Sequence, residues 1–208
     1  MKILVFVKQV PDTDDVALDP KTGRLVREGV ESKLNPVDAN AVEAAVQLKE
    51  KHGGTIGVIS MGLPQAEDVL KKALALGCDE SYLLSDRPLG GADTLATAYT
   101  LSLAARRIGG YDLLLFGRNA IDGDTAQVGP QIAEKLDLPQ VTYVEEFHID
   151  DNLHDITVKR QLEDGYELIG IKTPCMLTAI KELNEPRFMN MINLYGDTKS
   201  KIKIWNAK

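Results

Sequence analysis

Five apolar runs of strand length recur along the first two thirds of the chain: ILVFV (3–7), TIGVIS (55–60), SYLL (81–84), DLLLF (112–116) and QVTYV (140–144). Segments with helical spacing separate them. Val37, Ala41, Ala45 and Leu48 share one face of a helix that Gly53 stops. Ala66, Val69, Leu70, Ala73 and Leu74 form a second apolar face, closed by Gly77. A third helical segment is GADTLATAYTLSLAARRIGG, with Asp93 or Thr94 placed to cap it. Arg106 and Arg107 stand at its C-terminal end, where the helix dipole favours cations. Buried strands alternating with such helices predict an α/β class: a doubly wound, mostly parallel, Rossmann-like sheet covered on both faces.

Two regions break this rhythm. Val16–Ala17–Leu18 and Arg24–Leu25–Val26, joined by DPKTG, predict a β-hairpin with Pro20 and Gly23 in the turn. Beyond residue 144 the helical spacing stops, and FHI (147–149), ITVKRQL (156–162) and YELIGI (166–171) predict an antiparallel meander. The tail from Asn184 is rich in Met, Asn and aromatic residues, ends basic, and has little means of burying itself alone.

Composition narrows the function classes. At 208 residues and 44% hydrophobic the chain can bury a sizeable core. A formal charge of −7 argues against nucleic acid as a partner. No apolar window reaches the ~18 residues of a membrane span. MKILVFVKQV lacks a small-residue cleavage site and reads as a buried first strand. Cys78 and Cys175, far apart and without CxxC spacing, read as reduced core thiols in a cytoplasmic protein. His52, His148 and His154 show no metal-ligand spacing.

Ligands of an open parallel sheet bind beyond the carboxyl ends of its strands, so the joints there carry the chemistry. Three stand out: VKQVPDTDD, SMGLPQ and GRNAIDGDTAQVGP (117–130). The last is far longer than the about 2–6 residues that a plain connector needs. Gly117 and Gly123 would let a ligand approach the backbone, and Asp124 or Thr125 would cap a following helix whose first amides suit an anion. Arg118 and Gln127 offer donors, and Asp122 an acceptor for a ribose hydroxyl. The loop suits a nucleotide with a phosphate at a helix N-terminus, although glycines and Asp-Thr are also ordinary turn and cap residues. Neither GxGxxG nor GxxxxGK[ST] occurs, and no nucleophile–base pairing stands out, so any chemistry would come from a cofactor.

Several motifs in order carry a family resemblance over nearly the whole chain. They are VKQVPDT (7–13), NPVDANAVEAAVQLKE (35–50), GGADTLATA (90–98), GRNAIDGDTAQVGP (117–130), VKRQLEDGYELIGIKTPCMLTA (158–179) and NEPRF (184–188). With them the sequence resembles the β (small) subunit of electron-transfer flavoproteins. The resemblance implies an adenine-nucleotide-binding type of sheet over 1–183, including the meander at about 145–180. It implies a partner-recognition loop and the start of a C-terminal arm over 184–208. Family members usually run further, with an arm that reaches the α subunit.

The resemblance further implies a heterodimer with a FAD-carrying α subunit and a second nucleotide in this chain. That nucleotide is AMP in simple carriers. In electron-bifurcating members it is FAD, reduced by NADH, with electrons divided between the α-subunit FAD, serving an acyl-CoA dehydrogenase, and ferredoxin. The DGDTAQVGP loop and GGADTLATA are similar to the bifurcating group. The family's pocket maps onto Phe6, Lys8, Asn35, Pro36, Val37, Asp38, Ser60, Met61 and Gly62. It continues through Gly117, Arg118, Asn119, Ala120, Ile121, Asp122, Gly123, Asp124, Thr125, Ala126, Gln127, Val128 and Gly129. Backbone amides at 124–129 would hold phosphates over an apolar floor near Phe6. The recognition loop maps onto Arg187, Met191, Ile192 and Leu194. Two alternatives stand beside this: a carrier subunit with structural AMP, and a stand-alone adenine-nucleotide-binding module, against which the meander and tail argue.

Overall fold

The computed structural model describes residues 1–12 and 32–207. The hairpin expected over 16–26 lies outside the described residues. The first three strands are β1 (Lys2–Phe6), β2 (Gln9–Pro11) and β3 (Ser32–Leu34), followed by helix α1 (Pro36–His52). Then come β4 (Thr55–Met61), α2 (Glu67–Leu76), β5 (Glu80–Leu84), α3 (Thr94–Ile108), β6 (Leu113–Gly117) and α4 (Val128–Lys135). The meander is β7 (Gln140–Ile149), β8 (Asp155–Leu162) and β9 (Gly165–Lys172). It leads to β10 (Cys175–Ala179), the five-residue helix α5 (Met191–Tyr195) and β11 (Ile202–Trp205).

Nine strands form one sheet in the order β11-β5-β4-β1-β6-β10-β7-β8-β9, while β2 and β3 pair as a separate ribbon. From β11 to β7 all neighbours run parallel, and β8 and β9 extend the sheet antiparallel. The doubly wound sheet and the meander are therefore as the sequence pattern predicts. The chain leaves β1 toward β4 and β5, then returns across it to β6. That reversal makes the carboxyl ends of β1 and β6 the switch point.

Alternation along the strands builds two cores. Ile3, Val5, Ile56, Val58, Leu113 and Leu115 pack beneath α1 and α2. Leu4, Phe6, Ile59, Leu114, Phe116 and Met176 pack beneath α3 and α4. The five residues predicted for the second helical face, Ala66 just before α2 and four within it, are all buried, and Gly77 ends that helix at positive φ. Asp93 caps α3, accepting from the Ala96 amide. α1 departs from the single-face expectation: the sheet covers one side and the tail the other. Its buried polar residues have partners there, Asn40 donating to the Asn184 carbonyl at 2.7 Å and Glu43 pairing with Arg187 at 2.8 Å.

Four strands escaped the pattern: the β2–β3 ribbon and two strands of the main sheet. β10 inserts between β6 and β7 in the middle of the sheet, and β11 adds to the β5 edge. Trp205 lies against Tyr82 with centroids 4.8 Å apart, and the Arg107 guanidinium sits 4.5 Å over its ring. Lys203 reaches Glu80 at 2.7 Å. Trp205→Ala should therefore cost about 1–3 kcal/mol. Denaturant unfolding would show this, and amide exchange should speed up in β5 and β11 before it does in β1.

Candidate functional site

The crevice is built from three chain segments that meet at the switch point. The apolar runs of β1 and β6 end in Phe6 and Phe116, whose rings stack face to face with centroids 4.2 Å apart. Both are buried, so they form a floor rather than an open wall. Above them α1 begins, with Asn35 and Asp38 among its first residues. Asp38 is buried, and its carboxylate accepts the Lys8 amide at 2.8 Å and the Gly117 amide at 3.1 Å. One side chain thus ties the first turn of α1 to the ends of both switch-point strands.

Burial drives the Asp38 carboxyl up to about 7, while Asn35, the two amides and the Lys8 charge pull the other way. Asn35, also fully buried, clamps the long loop: it donates to the Asn119 carbonyl at 2.8 Å and accepts from the Ile121 amide at 3.3 Å. Lys8 reaches Asp122 at 2.7 Å, and Asn119 bonds Asp124 within the loop. The amides of Gly123 and Asp124 fold back on the Ala120 carbonyl, closing a turn.

Several sequence expectations change here. Gly117 does not make room for a ligand. A Cβ there would come within 2.3 Å of the Asp38 carboxylate and 2.8 Å of the α1 backbone, so glycine is required for helix and strand to meet. Gly123, by contrast, faces open space. The Asp122 carboxylate is covered and engaged by Lys8, which removes it as a ribose acceptor in this geometry. Asp124 and Thr125 do not cap α4. Asp124 and Ala126 have φ of 47° and 52°, which turns the chain away, and the helix begins after Gln127 without a side-chain cap. Gln127 instead meets Thr94 at the start of α3 at 2.9 Å. The amides at 127–129 open the helix and have no partner within it.

The remaining pocket residues are placed around this centre. Pro36 and Val37 begin α1 beside Gly117. Ser60 and Met61 end β4 and Gly62 follows it, with the Ser60 hydroxyl buried and without a partner among the described residues. Gly129 packs α4 against Thr178 and Phe116. Arg118 leans across β10, its guanidinium 5.4 Å from the Tyr143 ring. Phe116, Tyr143 and Thr178 were not singled out in the sequence, where they read as ordinary strand residues.

In the tail, Arg187 is turned inward. It bonds Glu43 at 2.8 Å and Glu50 at 2.5 Å, both on α1. Burial opposes the Glu43 charge, but Arg187 and Gln47 outweigh it and hold this carboxyl below its ordinary value. Met191 and Ile192 are exposed and Leu194 is half-buried.

An open parallel sheet with a loop-lined crevice at its switch point is the frame of a nucleotide-binding α/β protein. A family model described as the electron transfer flavoprotein domain matches residues 22–208. The caffeyl-CoA reductase-Etf complex subunit CarD of Acetobacterium woodii is 54% identical over 207 residues, covering 99% of this chain and 78% of that protein. An electron transfer flavoprotein subunit beta of Thermoanaerobacterium thermosaccharolyticum is 55% identical over 208 residues, covering 100% and 79%. The acryloyl-CoA reductase electron transfer subunit gamma of Anaerotignum propionicum is 46% identical over 195 residues, covering 92% and 72%. The chain belongs to the electron-transfer flavoprotein family, on its β-subunit side. Among the described residues no helix is long and apolar enough to cross a membrane.

Two predictions follow from the geometry around Asp38. Gly117→Ala should destabilise the fold by about 3 kcal/mol or more, because backbone and a buried carboxylate cannot yield. Gly123→Ala should stay within about 0.5 kcal/mol, and chemical denaturation of the pair reads the contrast. A carbon-13 titration of Asp38 should have its midpoint near 7. A folded carboxyl above its unfolded value of 3.8 adds stability at low pH and loses it as pH rises toward 7. A midpoint in the ordinary carboxylate range would show that the amide bonds outweigh burial.

Proposed function

We propose that this chain is the β subunit of a heterodimer with a FAD-carrying α subunit, and that its crevice binds a second FAD. The observation that carries the reading is the loop 117–127, far longer than its joint requires and clamped by Asn35 and Asp38 over an aromatic floor. The residues fit such a group. Open space adjoins Gly123, the first amides of α4 can hold phosphate, and Phe6 and Phe116 offer an apolar base. Bound there, FAD would supply acceptance of a hydride from transient NADH and release of single electrons. The chain's own part is to bind, orient and shield: Asn35, Asp38 and Lys8 fix the walls, and Arg118 sets a positive charge at the rim.

The relatives named for caffeyl-CoA reductase and acryloyl-CoA reductase systems support a CoA-thioester redox enzyme, of the acyl-CoA dehydrogenase kind, as the acceptor of one electron. Ferredoxin is the proposed acceptor of the other. The exposed Met191 and Ile192, with Leu194 beside them, are the surface proposed for the dehydrogenase.

Co-expression with the α subunit, denaturation of the purified heterodimer and mass identification of the released nucleotides tests the cofactor. Two FAD per heterodimer are expected. One FAD with one AMP would keep the crevice but make this chain the structural half of a simple carrier. A monomer retaining ATP without an α partner would favour a stand-alone nucleotide-binding module.

A further inference from the structure

Tyr143 is built into the sheet at a cost. It lies within β7 yet has φ of 59°, a left-handed conformation that a bulky aromatic residue rarely adopts. The register against β10 shifts across it, between Leu177 and Ala179, and the register against β8 shifts just after it, between Val144 and Glu146. Its amide leaves the ladder and donates to the Thr178 hydroxyl at 3.1 Å. Such bulges re-aim a side chain, and strained residues persist where the surrounding structure holds them.

Here the ring is aimed at Arg118. The guanidinium lies 5.4 Å from the ring centroid, and its Nε donates to Asn119 at 3.2 Å. Among the described residues no carboxylate pairs with Arg118. Its guanidinium is held in place by a ring and a side-chain amide, both neutral. Thr178, which takes the Tyr143 amide, also touches Gly129 in the first turn of α4, where an added Cβ would lie 3.3 Å from its methyl. Thr178 thus links the backbone of Tyr143 to the first turn of α4.

We propose that Tyr143 is a positioning residue: the bulge in β7 sets its ring under Arg118 and so fixes a guanidinium for the phosphate of the crevice nucleotide. The proposal rests on the reading that the crevice takes a nucleotide, and it holds for AMP as for FAD because both carry a 5′-phosphate. A neutral aromatic ring keeps the guanidinium extended without neutralising it, as a carboxylate partner would.

The test uses the heterodimer depleted of its crevice nucleotide, with Tyr143→Phe, Tyr143→Gly and Arg118→Gln, titrated with AMP and with adenosine. Tyr143→Gly and Arg118→Gln should each weaken AMP about tenfold, as loss of one oriented charge contact implies, and their combination should be no worse than either. Adenosine should bind all variants alike, and Tyr143→Phe should keep wild-type AMP affinity. Thermal melting of Tyr143→Gly should be unchanged or raised, since glycine relieves the strained backbone. Equal loss of AMP and adenosine, or wild-type AMP affinity in Tyr143→Gly, would overturn the positioning role. If the wild-type heterodimer binds AMP but releases no second FAD, the cofactor reading fails and the Tyr143 role stands. If it binds neither AMP nor FAD in the crevice, both fall.

Discussion

A buried carboxylate receives two backbone amides, one just beyond β1 and one at the end of β6, and the rest of the crevice depends on that junction. Without Asp38, the amides of Lys8 and Gly117 would end in an apolar region with no partner, which is costly for each. Burying the carboxylate is itself unfavourable, and the high value of its ionisation reflects that cost. The two penalties cancel only when α1, β1 and β6 are in register. The interaction therefore specifies geometry more than it adds stability. It is satisfied at the switch point, where β1 and β6 pair side by side and their connections leave in opposite directions.

This junction explains why the site's walls are closed and its loop is open. Gly117 is glycine so that α1 can come close enough for Asp38 to bond both strands. Asn35 then holds the first part of the loop, through Asn119 and Ile121. Past Asp122, two left-handed residues carry the chain outward to α4. The groups with remaining hydrogen-bonding capacity are thus the late loop amides and the first turn of α4, not the carboxylates. A site pre-formed in this way loses little conformational freedom when a ligand enters.

The legibility of these features followed their physical scale. Strands buried on both faces and the α2 face were readable because a whole stretch of side chains answers to one environment. β10 was not, because CMLTA is a short run lying beyond the meander, where the α/β alternation had ended. β11 alternates Lys with apolar residues at a sheet edge and pairs with β5, over a hundred residues away, so no local pattern marks it. Asp38 was picked out only through the resemblance, since no local pattern sets it apart from other acidic residues in a helix's first turn, and its contacts with Lys8 and Gly117 are tertiary. The α4 cap was misplaced for a local reason: cap-type residues at 124 and 125 sit in a left-handed turn that only the loop's closure on Ala120 reveals. The unusual length of loop 117–127 was legible, and Lys8, Asn35, Asp38 and Arg118 were candidates through the resemblance; the contacts that join them were not legible.

The tail follows a related logic with opposite outcome. A helix of five residues such as α5 has no stability of its own in water. Its approach is fixed instead by Arg187, bonded to a buried and an exposed carboxylate of α1, and by the Asn190 amide donating to the Ala75 carbonyl at the end of α2. These polar anchors consume the groups that face the domain and leave the apolar ones outward. Phe188, Ile192 and Tyr195 are 98%, 83% and 81% exposed. A tail that folded for its own stability would turn those side chains inward. Holding them out on a charged anchor has the physical form of a surface prepared for another macromolecule, on the opposite helical layer from the face that α3 and α4 cover.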